Sequence, residues 1–330
     1  MTETPPGGTA PEAAPPDPSP DPGPSAAAGI ALKLASVLLF TLMAACIKAA
    51  RDEAPTGQAV FFRSFFAIPP ILIWAMVRGD LSRAFRVKDP FAHLNRGLVG
   101  VVAMACGFAA LGLLPLPETI AINYAAPLLA TALAAWLLGE QVRLFRWSAV
   151  VVGLFGVLVM LWPRLTVLAS GAFSDAEALG AWFALLGALF VALATIHIRR
   201  LTQTETTLSI VFWFSVSCTV ASLATIPFGW AWPTGPTLVL LIASGVLGGV
   251  AQILMTEGYR LAPASTLAPF EYSSMIYGLA LGWLLFSEAP SVQVLIGAAI
   301  VIGAGLFIIW RERQLRIDRT QPRKAGSMQA

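Results

Sequence analysis

The sequence predicts an all-α membrane protein, with ten transmembrane helices arranged as two inverted five-helix repeats. Three observations carry that fold class. Hydrophobic residues make up 57% of the chain and charged residues 12%, which would leave a soluble domain too little polar surface to cover itself. Apolar runs of about the 20 residues needed to cross a bilayer core follow one another with short connectors. The chain also reads twice. LPLPETIAINYAAPLLATALAAWLLGE returns as LAPASTLAPFEYSSMIYGLALGWLLFSE at an offset of 148, matching Pro115 to Pro263, Tyr124 to Tyr272 and Glu140 to Glu288. CIKAARDEAPTGQAVFFRSF lies without a gap over HIRRLTQTETTLSIVFWFSV at an offset of 151. A doubled block of membrane helices marks carriers whose halves rock about a shared central site.

The apolar stretches run at about 30–50, 56–77, 96–114, 119–138, 146–163, 179–198, 207–228, 237–258, 265–286 and 292–310. They are continuous rather than alternating, which argues against a β-barrel. Pro69-Pro70, Gly153, Gly156, Gly245, Gly248 and Gly249 fall inside them, as membrane helices tolerate and use for close packing. The repeats occupy 29–163 and 177–310. Residues 1–28, rich in Pro, Gly and Ala without Lys or Arg, read as a disordered cytoplasmic tail rather than a signal peptide. Residues 311–330 form a basic cytoplasmic tail, read as an ordinary positive-inside anchor beside anionic lipid.

Orientation follows from the positive charges. With the N-terminus inside, 16 basic residues, Arg78, Arg96 and Arg260 among them, fall on the cytoplasmic side, and Lys48, Arg51 and Arg164 fall outside. Both termini are therefore expected in the cytoplasm. Five helices per repeat is an odd number, so the second copy enters the membrane inverted.

No phosphate-binding loop, dinucleotide turn, clustered His and Cys or nucleophile elbow occurs. Neither enzymatic chemistry nor a cofactor or metal is expected, and with no ATPase motif the driving force is a solute or ion gradient. The basic residues are used in topology, so nucleic acid is not an expected partner; membrane lipid and a small-molecule substrate are. Nothing in the chain marks an oligomeric state. Cys46, Cys106 and Cys218 read as small hydrophobes inside spans.

The segment LAPASTLAPFEYSSMIYGLALGWLLFSEAPSVQVLIGAAIVIGAGLFIIWRER, with GLLPLPETIAINYAAPLLATALAAWLLGEQVRLFRWSAVVVGLFGVLVM in the first half, resembles the drug/metabolite transporter superfamily, in its bacterial ten-helix EamA-type branch. The likeness covers about residues 30–312. It implies a basket of ten helices around a central cavity. NRGLVGVVAMACGFAALGLLPLPETIAINYAAPLL looks most like the riboflavin-type carriers of alphaproteobacteria; other members of the branch export amino acids and drug-like compounds or take up S-adenosylmethionine.

Each stretch then offers its candidates. In the second, Arg63 lies about seven residues deep, where a cation costs several kcal/mol unless it faces protein, water or an anion. It is either a donor to a ligand's carboxylate, phosphate or carbonyl, or the partner of a neighbour such as Glu118, or a snorkelling anchor. Its counterpart in the second half is Phe214, so the charge is not a requirement of the scaffold. Phe61, Phe62, Phe65 and Phe66, with Phe212, Trp213 and Phe214 in the seventh, form broad aromatic faces suited to a flat ring or, more plainly, to lipid.

The fourth stretch offers Asn123 and Tyr124, whose counterparts in the ninth are Glu271 and Tyr272. Inverted repeats project such pairs into one cavity from opposite entrances. Glu271 is read as a substrate contact and as the proton-coupling candidate, since a buried carboxylate exchanges a proton near neutrality; a structural hydrogen bond is its alternative. The tyrosines read as ligand-stacking or packing residues. Gln252 in the eighth stretch is a candidate cavity donor. Glu257 and Arg260, at i and i+3, read as a local ion pair or an inner gate. His197 reads as an interfacial histidine. Glu140 and Glu288 read as structural caps of the helix that follows each.

The sequence therefore points to a secondary transporter working by alternating access, with riboflavin uptake as the leading cargo. An amino-acid, S-adenosylmethionine or drug transporter is the alternative within the class, and a non-transporting scaffold the alternative outside it. A bacterial inner membrane is the expected location.

Overall fold

The computed structural model describes residues 24–137, 144–169, 176–202, 204–262 and 264–320. Helices α1 (Pro24–Ala49), α2 (Thr56–Phe65), α3 (Ile68–Val77), α4 (Leu81–Phe85), α5 (Pro90–Leu113), α6 (Leu116–Asn123), α7 (Ala125–Leu137) and α8 (Leu144–Ala169) make the first half. The second holds α9 (Ala176–Leu201), α10 (Thr207–Leu223), α11 (Gly235–Leu261), α12 (Ala264–Leu267), a 3-10 turn (Ala268–Tyr272), α13 (Ser273–Phe286) and α14 (Val292–Thr320). No strand occurs among the described residues. Helix α1 begins at Pro24, inside the segment whose composition reads as a tail. Residues 1–23, Glu140 and 321–330 lie outside the described residues.

Among the described residues eight helical segments, with α2–α3 and α6–α7 each counted as one, are long and apolar enough to cross a membrane. Two expected stretches differ from that picture. The seventh is α10, a shorter apolar helix of 17 residues, and the ninth is divided between α12, the 3-10 turn and α13. Proline accounts for the interruptions. Pro69 and Pro70 open α3, and Pro269 falls in the turn before α13, where a missing N–H and a fixed φ stop an upstream helix and start a downstream one. The second and ninth stretches are consequently broken helices, and the fourth is interrupted at Tyr124 between α6 and α7. Discontinuous helices are where membrane carriers place polar sites, because free backbone ends face protein or a cavity instead of lipid.

The packing has the symmetry of the repeat. Helix α1 packs on α11 as α5 packs on α9; α1 on α13 as α7 on α9; α2 on α11 as α10 on α5. Exchanging every stretch for the one five later converts each of these pairs into the other. The pairs α2 with α10, α6 with α13 and α8 with α14 map onto themselves, so the pseudo-twofold axis passes through their contacts. The largest buried cluster gathers Tyr124, Leu128, Val157, Met160, Ala184, Ala188, Met275 and Val301 from both halves. Dispersion and close packing hold such a core in lipid, where apolar burial alone drives little.

Candidate functional site

Candidate residues stand at three of the breaks. Arg63 stands two residues before α2 ends, Asn123 is the last residue of α6, and Glu271 and Tyr272 close the 3-10 turn. A cavity of about 350 Å³ opens between the halves. Arg63, Arg96, Thr119, Asn123, Thr195 and Phe214 are among its walls. Most of the remaining lining is apolar, as in small-molecule sites generally.

Arg63 is buried, 8% exposed, and its Nε makes no hydrogen bond. Its guanidinium carbon lies 6.0 Å from the ring centre of Phe214, the residue that occupies its own place in the other repeat. Arg96 stacks on the same ring at 4.1 Å, with its buried Nε and Nη1 also without partners. Neither arginine takes part in an ion pair among the described residues. Gly100 makes room for this stack, since a Cβ there would come within 2.3 Å of both Arg96 Nη1 and Phe214. Gly248 on α11 likewise receives the Arg63 guanidinium.

Arg96 is the residue the sequence reading assigned to membrane topology. Asp89 caps α5 by accepting from the Ala92 amide at 3.0 Å, and Pro90 stands at the first turn, so the helix starts before Arg96 and carries it inward. Asp-Pro ahead of an apolar run is a helix-start signal, and it was the available clue. Thr119 and Thr195 were also missed; threonines in apolar helices carry no sequence mark of the face they occupy.

A second cavity of about 650 Å³ shares Arg96, Ile198 and Phe214 with the first and is rimmed by Arg78, Arg83 and Arg260. Gln252 lines this second cavity rather than the first. Glu257 pairs with Arg78 at the end of α3 and lies 3.6 Å from Arg260, so the gate candidates tie α11 to the second stretch beside the cavity mouth. His197 bonds the Leu193 carbonyl of its own helix through Nδ1 at 2.9 Å.

Glu271, Tyr124 and Tyr272 line neither cavity. Glu271 instead receives the ammonium of Lys33 from α1, whose side chain is 2% exposed and also lies 5.5 Å over the Tyr259 ring. The two repeat-equivalent tyrosines meet edge to face with ring centres 5.2 Å apart. Tyr124 Oη donates toward the Tyr272 carbonyl at 3.3 Å and shares a 2.7 Å hydrogen bond with Ser274. Of the two aromatic faces, Phe214 lines the cavities while Phe61 and Phe62 stack on Phe65 and Phe66.

The end of the bundle away from Arg78 and Arg260 is tied shut. Lys48 Nζ bonds the carbonyls of Leu111 and Leu114 at 3.1 and 2.6 Å and pairs with Glu288 at 2.9 Å. The Leu116 amide donates to the other carboxylate oxygen of Glu288 at 2.8 Å. Glu288 thus caps α6 of the other half, not the helix that follows it in sequence. Nearby, Glu53 accepts from the amide and hydroxyl of Thr234 at 3.0 and 2.6 Å, and Gln58 donates to the Ala231 carbonyl at 2.8 Å.

Known proteins agree with this architecture. Residues 27–162 and 178–310 each match the EamA-like transporter family. A riboflavin transporter of Rhizobium johnstonii is 30% identical over 259 residues, 78% of this chain and 82% of that protein. A pseudopaline exporter of Pseudomonas aeruginosa is 30% identical over 84% of this chain and 94% of its own length. An S-adenosylmethionine uptake transporter of Rickettsia felis is 27% identical over 78% and 84%. One solved crystal structure superposes with a TM-score of 0.61 at 20% identity, covering 88% of this chain and 99% of that one, which is a likeness of fold.

Proposed function

The chain belongs to the EamA-like transporter family of the drug/metabolite transporter superfamily, and from that premise we propose that it is a secondary carrier for a small polar metabolite, working by alternating access. The carrying observation is the 350 Å³ cavity between the halves, which presents guanidinium, amide and hydroxyl groups beside the Phe214 ring. Groups that cost stability at membrane depth are retained where a ligand uses them, which a non-transporting scaffold would not require. Ten spans with both termini in the cytoplasm orient the larger cavity, with its arginine rim, toward the cytoplasm. The Lys48–Glu288 tie then lies at the periplasmic end of a bacterial inner membrane, and the conformation is inward-facing.

For the cargo we propose riboflavin or a similar polar heteroaromatic compound, taken up from outside. A flat ring can lie on Phe214 for about 0.5–1.5 kcal/mol beyond its buried area, while the arginines and Asn123 meet its polar edge. The riboflavin transporter among the relatives supports this reading; the exporter and the S-adenosylmethionine carrier support others. A bacterial auxotroph lacking riboflavin synthesis should grow on low external riboflavin when it expresses the chain. If it fails to grow despite verified membrane insertion while resistance to toxic amino-acid analogues rises, export of amino acids replaces the flavin reading.

A further inference from the structure

We infer that the cavity is an anion clamp and that the preferred cargo carries a carboxylate or phosphate, held between Arg63 and Arg96. This rests on the reading of the cavity as the cargo site and narrows its substrate class to anionic polar heteroaromatic compounds, which it ranks above neutral riboflavin. Arg63 is more than nine-tenths buried and lines the cavity with its Nε unbonded; Arg96 reaches the same space with Nε and Nη1 unbonded. Both share a single ring, Phe214, and neither belongs to an ion pair among the described residues.

Three carboxylates on neighbouring elements are paired with other cations. Glu271 holds Lys33, Glu288 holds Lys48 and Glu257 holds Arg78. Two guanidiniums left facing one apolar-walled space are an uncompensated positive charge, and the group that answers it best is an oxyanion, which accepts several charge-assisted N–H bonds at once. Phe214, which both arginines approach, adds an aromatic wall beside the charges for the ring of an aromatic acid. Asn123 and Thr119 remain for the uncharged polar atoms.

The test uses the purified full chain in detergent and matched neutral and anionic probes: nicotinamide against nicotinate, and riboflavin against riboflavin 5′-phosphate. Calorimetry should show the anionic member of each pair bound more tightly by about tenfold or more, and Arg63→Gln or Arg96→Gln should collapse that preference to within about twofold. Equal binding of both members, or binding of neither, overturns the inference. Arg63→Met and Arg96→Met supply a second readout: without ligand, their Tm should equal or exceed that of the parent chain, because an uncompensated charge has been removed. A fall of several degrees would mark the arginines as structural and defeat the proposal. Charge-selective binding without uptake into proteoliposomes would remove the carrier reading and leave the clamp; uptake without charge preference would do the reverse.

Discussion

Lys33 of the first helix and Glu271 of the broken ninth stretch form an ion pair across the two halves, and the partners are unequally enclosed, 2% and 51% exposed. At the pseudo-symmetric place of Glu271 stands Asn123, which lines the cavity instead. One side of the axis is thus closed by a charge pair where the other is open.

That inequality predicts unequal mutational costs. Removing one partner of a buried pair strands the other, at about 3–5 kcal/mol when the survivor is enclosed. Glu271→Gln strands the enclosed Lys33 and should lower Tm more than Lys33→Met, which leaves the half-exposed carboxylate. The double variant should recover most of the stability while transport stays impaired. Thermal unfolding of the four proteins in detergent gives the order, and a larger loss for Lys33→Met would contradict it.

Lys48 and Glu288 join α1, α5, α6 and the end of α13 at one end of the bundle. Lys48→Met should loosen that end. In a chain with Cys46, Cys106 and Cys218 replaced, a cysteine introduced by Leu111→Cys should react faster with a membrane-impermeant maleimide from the periplasmic side once Lys48 is removed. An unchanged rate would mean that the tie does not restrain opening.

Glu53 supplies a pH-dependent contribution at the same end. Its hydrogen bonds from Thr234 hold its carboxyl below the ordinary value of 4.5, so its contribution is present above that value and fades as pH falls through the lowered one. Glu53→Gln should therefore weaken the tie at neutral pH and differ progressively less from the parent chain in acid. Maleimide labelling at Leu111→Cys across pH reads this directly, and a gap that widens in acid would reverse the sign.

Two substitutions at Gly107 separate space from backbone. Gly107 lines the smaller cavity and a Cβ there meets nothing within 4 Å. Gly107→Ala should transport normally and stabilise α5 by about 0.5–1 kcal/mol, whereas Gly107→Trp should fill the cavity and abolish transport with membrane insertion intact. Full transport by the tryptophan variant would remove the cavity from the pathway.

Reporter fusions at residues 90 and 232 test the topology. They should report the cytoplasm and the periplasm respectively, because only that arrangement puts the basic loops inside. Signals from the same side would rule out ten spans.

The sequence by itself determined the membrane, the succession of apolar helices and the doubling. Each of these is a property of neighbours along the chain or of a constant offset between its halves. It also singled out Arg63 and Asn123, because a charge or amide deep in an apolar run is conspicuous without knowing what faces it. Only the tertiary structure decided how the charges are shared. Glu271 reads as a substrate-contact and proton-coupling candidate from its depth alone, and only the fold lays Lys33, 238 residues away, against it. Arg96 reads as a topological charge until α5 is seen to begin at Pro90 and to deliver it onto Phe214. Pairing in lipid depends on which side chains distant helices bring within a few ångströms, and a helix passes its whole circumference through the sequence without marking the side that its neighbours will cover.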